Sequence, residues 1–160
     1  MTIDPDSFRS VLGRFASGIT VVTTRDSDQR DLGMTVSAFC SVSLRPPLVQ
    51  VCVDHEASLH AALLQNQRYA VSILADDQEA LSRRFSTADS TRRFDGIGYR
   101  RGESGMVLLD DALAHLECRI VASHTAGDHT LFVGEVLAAE RGRSAPPLLY
   151  LGQRYVSMDA

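Results

Sequence analysis

The run from Gly33 to Val51 constrains this chain more than any other. With a period of two it separates into two faces. Val36, Ala38, Cys40, Val42 and Leu44 are apolar, while Thr35, Ser37, Ser41 and Ser43 carry hydroxyls, interrupted only by Phe39. Such alternation predicts a half-buried β-strand with its apolar side turned inward. Pro46-Pro47 stops it, because proline donates nothing to a strand ladder. Threonine and serine sit comfortably on a solvated sheet face, and that reading stands beside a sharper one. Four hydroxyls on one face also suit a ligand rich in donors and acceptors.

The rest of the pattern places this strand in a mainly β domain. Asp4-Pro5-Asp6-Ser7 reads as a helix start, followed by Phe8, Val11, Leu12 and Phe15 at helical spacing. Ile19 to Thr24 is β-branched throughout, Leu48 to Val53 is nearly all apolar, and Tyr69 to Leu74 is a further strand. Ser58 is placed to cap a helix that begins with Leu59, and Asp76 or Asp77 to cap a second one ending near Phe85. Ser86 to Gly105 lacks periodicity and reads as a long loop. Leu113–His124 and Thr130–Ala139 form a strand pair around Thr125–His129, and Leu148 to Met158 is a closing strand. About seven hairpin-connected strands and two or three short helices disfavour a doubly wound parallel sheet. They favour a closed or nearly closed antiparallel barrel with peripheral helices. The 160 residues, with no internal repeat or linker, suit one domain over 1–160.

Composition removes several function classes. A net charge of −4 argues against nucleic-acid binding. No apolar run approaches membrane-spanning length, and the acidic N-terminus lacks the features of a signal peptide, so a cytoplasmic location is expected. All 16 basic residues are arginine, which excludes lysine Schiff-base chemistry and a P-loop lysine. Any phosphate must be held by arginine, hydroxyls or backbone N–H groups. Cys40, Cys52 and Cys118 lie in apolar runs without C-x-x-C spacing and are expected to pack in the core. No metal site is expected: His124 and His129 bracket a turn, but no further histidine shares a spacing with them. The arginine pairs 83–84, 92–93 and 100–101, interleaved with Phe85 and Phe94, are either a solvated face or groups that clamp phosphates and stack on a planar ring. The chain contains no G-x-S-x-G, and no G-x-G-x-x-G opening a helix after a strand.

Several short motifs, taken in order, resemble the flavin reductase-like family. They are the stretch Phe8–Thr23, the run Gly33–Phe39, and Ser41–Val49 with its double proline. Arg84-Phe85-Ser86, Arg93-Phe94, Gly127-Asp128-His129 and Gly134-Glu135-Val136 follow. The resemblance implies a homodimeric split β-barrel binding FMN or FAD, with NADH or NADPH as hydride donor. It implies reduced flavin passing to a transient oxygenase partner. By that likeness Thr35, Val36, Ser37 and Ala38 line the isoalloxazine, and Ser41 and Ser43 follow the ribityl chain. Ser58 lies near the phosphate, and Phe85 and Tyr155 contact the same pocket. His129 stands where nicotinamide approaches, as a positioning or proton-donating group. Ser37 departs from a common family version with asparagine there, losing one amide donor. The alternative on the same barrel is a flavin- or haem-binding module without reductase activity.

Overall fold

The computed structural model describes residues 3–87 and 89–158. Helix α1 (Pro5–Leu12) starts as expected, with the Asp4 side chain accepting from the Ser7 N–H and Pro5 in the first turn. Short β1 (Ser17–Gly18) and β2 (Thr20–Arg25) follow, then β3 (Asp31–Val36), β4 (Phe39–Leu44) and β5 (Pro47–Asp54). Helix α2 (Ser58–Asn66), β6 (Arg68–Ile73), a 3-10 turn (Asp76–Gln78) and α3 (Glu79–Ser86) form the middle of the chain. A second 3-10 turn (Ser90–Arg92), β7 (Tyr99–Arg101) and β8 (Val107–Leu109) occupy the segment expected as one long loop. The long hairpin β9 (Ala114–Ala126) and β10 (His129–Arg141) precedes a final hairpin, β11 (Leu149–Leu151) and β12 (Arg154–Val156).

Seven strands make one antiparallel sheet in the order β3-β2-β6-β9-β10-β5-β4. The run read from sequence as one strand is therefore two, and they occupy opposite ends of that order. β3 pairs with β2, β4 pairs with β5, and only Ser37-Ala38 connects them. The sheet must curl to allow this. Its concave side gathers Val22, Val36, Val51, Tyr69, Ile120 and Phe132 into one core, with Leu59 and Leu63 of α2 added. The result is a split antiparallel β-barrel with few short helices, as the pattern implied.

The split reverses part of the expected facing. Val36 is buried in the barrel, but Val42 and Leu44 are exposed, Leu44 to 81%. Phe39 and Ser41 stand opposite Val51 and Val49, and a register shift between Ser41 and Ser43 breaks the alternation beyond them. Of the cysteines, Cys118 is buried, Cys52 is half-buried and Cys40 is exposed, so core packing fails for Cys40. Burial pushes the Cys118 thiol up to about 12, which makes it unreactive. Ser58 is not the cap of α2: Ala57 holds that place, and Ser58 is the first helical residue. The closing strand is a hairpin, turned by Gly152 and Gln153, both with positive φ. Among the described residues no helix is long and apolar enough to cross a membrane.

A second apolar cluster lies outside the barrel, where Phe85 of α3 packs with Ile19, Val21, Leu74 and Leu148. Gly33 permits it, since a Cβ there would stand 2.6 Å from Phe85 Cε1. Gly134 plays the same part inside, where a Cβ would lie 2.7 Å from Tyr69 Cζ. Gly134→Ala is expected to destabilise the fold by about 1–3 kcal/mol, as overpacking does. Urea denaturation monitored by circular dichroism reads it.

Candidate functional site

Helix α3 lies along the outer side of β3, and the C-terminal hairpin closes over both. Between them is a cleft of about 530 Å³ lined by Thr35, Ser37, Arg83, Ser86, Thr87 and Gln153, with Tyr150, Tyr155 and Ile19. Ser82 organises this wall. Its carbonyl accepts from Thr35 Oγ1 at 2.6 Å and from Ser86 Oγ at 2.8 Å, and its hydroxyl lies 2.8 Å from Tyr155 Oη. The Thr35 and Ser86 protons are thus spent inside the protein. Their oxygens keep lone pairs and can serve a ligand as acceptors.

Beside these hydroxyls the lining is aromatic and cationic. The Tyr150 and Tyr155 rings meet edge to face at 5.3 Å, and the Arg83 guanidinium sits 4.8 Å from the Tyr155 centroid. Arg83 is held there by Glu79 one turn earlier, at 2.7 Å. A planar heteroaromatic ring fits such a cleft, with flat faces beside the tyrosines and ring N–H groups toward the hydroxyls.

The structure brings three of the expected residues to this cleft: Thr35, Ser37 and Tyr155. Val36 and Phe85 do not reach it with their side chains. Val36 points into the barrel, and Phe85 is fully buried against Phe94 with ring centroids 5.1 Å apart. Phe85 supports the cleft from beneath instead of lining it. Ala38, Ser41 and Ser43 lie past the crossover, Ala38 and Ser41 exposed and Ser43 half-buried, none of them in the cleft wall. Ser58 lines a separate hollow of about 590 Å³ with Asp31, Leu32 and Gln65.

His129 opens β10 opposite Asp54, and it too lies outside the cleft wall. Its Nδ1 is 2.7 Å from Asp128 Oδ1. That hydrogen bond holds the Asp128 carboxyl below the usual carboxylate range. The ionised carboxylate assigns the proton to Nδ1 and leaves Nε2 as the free position. Nearby, His55 Nε2 and His60 Nε2 approach the hydroxyl of buried Thr130 at 3.1 and 2.8 Å. Burial, with His55 alongside, lowers the His60 pKa.

Arg83, singled out in the sequence as one of the arginine pairs, lines the cleft. Sequence reasoning missed Ser86, Thr87, Tyr150 and Gln153 as cleft residues. The first two follow Phe85, and Gln153 lies in a glycine turn, so adjacency to recognised motifs was the available signal.

A family model of the flavin reductase like domain matches residues 12–159. The chain belongs to that family. Among curated relatives, an NADH-dependent flavin reductase from Rhodococcus sp. is 43% identical over 152 residues, 94% of this chain and 85% of the relative. The reductase component of 4-hydroxyphenylacetate 3-monooxygenase from Thermus thermophilus is 39% identical, covering 94% of each chain. Among solved structures, the NADH:FAD oxidoreductase of Streptomyces globisporus superposes with TM-score 0.92 at 39% identity, over 100% of this chain and 98% of that one. The same enzyme has been solved in complex with NAD and FAD fragments, matching with TM-score 0.91.

Within this family member, Tyr155 tests the aromatic wall. Tyr155→Phe keeps the ring and removes the bond to Ser82, and is expected to raise the flavin KM about 3- to 10-fold, in line with one lost hydrogen bond. Tyr155→Ala removes the ring as well and should raise it further. Steady-state kinetics at saturating NADH separates the two.

Proposed function

We propose that this protein is an NADH-dependent flavin reductase that supplies reduced FMN or FAD to a partner monooxygenase. The observation that carries the reading is the cleft itself, with spent-proton hydroxyls beside a tyrosine pair and Arg83. Relatives named for NADH-dependent flavin reduction, and for reductase components of monooxygenases, support it. Four of these relatives, 39–43% identical to this chain, are named for NADH. We place the protein in the cytoplasm, where NADH is generated.

Flavin, when bound, supplies the acceptor N5 for the hydride of nicotinamide C4. The chain's own residues bind, orient and shield. Thr35 or Ser86 would accept from the ring N–H, and Ser37, whose hydroxyl has no partner among the described residues, would serve the ring edge. Tyr155 fixes the plane. Ala38, Ser41 and Ser43 continue the polar track past the crossover, toward the flavin side chain. Ser58, at the start of α2, and the backbone around it hold a phosphate end. Val36 and Phe85 contribute as supports, through the backbone of β3 and the packing of α3. His129 orients nicotinamide through its free Nε2, with Asp128 fixing its tautomer.

The active unit is a homodimer. Phe8, Val11, Leu12 and Phe15 leave an unpartnered apolar face around α1, Phe15 exposed to 79%, and Val42 and Leu44 leave another on β4. Clustered exposed apolar side chains of this kind suit an interface. Sedimentation is expected to return twice the chain mass, and Leu44→Glu to shift it toward the monomer.

The direct test follows NADH absorbance with purified protein and FMN, then FAD. Flavin-dependent oxidation is expected with at least one, and its absence with both would sink the reading. His129→Ala is expected to lower kcat at least tenfold with a smaller change in flavin Kd, since a positioning group acts on reaction geometry. Unchanged kinetics would remove His129 from the site.

A further inference from the structure

Two histidines share one hydroxyl where β10 begins. His55, in the connection from β5 to α2, and His60, in the first turn of α2, bring their Nε2 atoms to 3.1 and 2.8 Å from Thr130 Oγ1. Their rings meet edge to face at 5.0 Å, and the His60 ring packs on Phe132 at 5.5 Å. Thr130 is only 4% exposed, and its hydroxyl has no other partner among the described residues.

A threonine hydroxyl has one proton to give and two lone pairs. With both imidazoles neutral, one donates its Nε2 proton to Oγ1 and the other accepts the Oγ1 proton. Every group in the bridge is then satisfied. Protonating the accepting ring turns it into a second donor. Two N–H groups then face Oγ1, and the buried hydroxyl proton has nothing to bond. The closed bridge therefore resists that proton.

The surrounding charges do not reverse this. No other residue of α2 is titratable. Asp54, at the end of β5, favours a protonated His60, but burial and neighbouring His55 outweigh it and draw the His60 pKa down. Glu56 in the connection is exposed, and Asp128 before β10 is exposed and bonded to His129. Cys52 and His124 stand opposite Leu131, one residue beyond Thr130. Asp26, Arg30 and Asp31 line the hollow at Ser58, where Asp26 pairs with Arg30 and Asp31 with Arg25. Arg25 of β2 and Arg68 and Tyr69 of β6 lie toward the other end of α2, where Asn66 donates to the Arg25 carbonyl.

The bridge adjoins the turn that carries His129. The His55 backbone N–H donates to the Asp128 carbonyl at 3.0 Å, and Thr130 follows His129 directly. We propose that the His55–Thr130–His60 bridge is a latch that holds the Asp128-His129 turn against α2, so that His55 and His60 position His129 for hydride transfer and acid releases it. The inference rests on the reductase reading and on the place given there to His129.

Nuclear magnetic resonance of the imidazole Cε1 protons reads the latch without turnover. His60 is expected to titrate below the ordinary histidine range, and titration within or above that range overturns the proposal. Steady-state kinetics reads the positioning. Wild-type kcat at saturating NADH and flavin is expected to fall roughly threefold or more between about pH 8 and pH 5.5. His60→Gln keeps an amide that can donate to Thr130 or accept from it, and cannot titrate. Its kcat is expected to change less than about 1.5-fold over the same span. His60→Ala has no bridge and is expected to lose kcat at the upper pH as well, with flavin KM moving less. Urea midpoints at the upper pH show that both variants are folded. As pH falls, the wild type is expected to lose more of its midpoint than His60→Gln, because the proton that the bridge resists binds the unfolded chain. Acid profiles that coincide in the wild type and His60→Gln would sink the latch. Failure to reduce FMN and FAD alike at every pH would instead remove the reductase reading, and the imidazole titration and urea midpoints would still judge the latch.

Discussion

The whole architecture depends on a two-residue link. β3 and β4 terminate opposite ends of a seven-strand order, yet only Ser37 and Ala38 separate them. Three Cα steps at roughly 3.3–3.6 Å each bring the two edges within about 10 Å. A flat sheet cannot satisfy that limit, so the sheet curls until its edges nearly meet. Its inner face then closes on Val36, Val51 and Phe132, with α2 packed against the same core. The Ala38 carbonyl accepts from Cys52 N–H at 3.0 Å and fixes the link against β5. Curling also turns the outer side of β3 toward α3, which is what creates a cleft there.

That cleft is built by commitment of polar groups as much as by shape. A hydroxyl free to rotate would adapt to water as readily as to a ring. Thr35 and Ser86 have lost that freedom to the Ser82 carbonyl, and Tyr155 is tied to the Ser82 side chain. Buried polar networks that are fully satisfied specify one arrangement. Arg93 extends the same logic outward. It joins the Gly33 carbonyl on β3 to the Thr87 carbonyl after α3, so the strand and the loop that flank the cleft move as one.

Much of this was legible in the residues, and the failures have physical causes. The period-two pattern of Gly33–Leu44 correctly marked strands, and the hydroxyls at Thr35 and Ser37 marked the cleft. The break between them was invisible because Ser37-Ala38 contains neither glycine nor proline, and both residues tolerate extended backbone. From that point the inward and outward assignments failed, since Val42 and Leu44 sit on an edge strand whose apolar side no element among the described residues covers. Phe85 was recognised as important but given the wrong task, because a motif shows that a residue is needed without showing which way it points. The final hairpin was read as one strand, since a Gly-Gln turn flanked by three-residue strands leaves little periodicity. The helix start at Asp4-Pro5 and the turn at Gly127-Asp128 were legible because each rests on local chemistry alone.

The last hairpin has a consequence for the order of assembly. Tyr150, Gln153 and Tyr155 form one side of the cleft, and β11 is anchored to β1 near the other end of the chain. The barrel core draws on none of the three. The barrel core can therefore form without the hairpin that closes the cleft. Loss of that hairpin would open the cleft and leave the packed interior as it is.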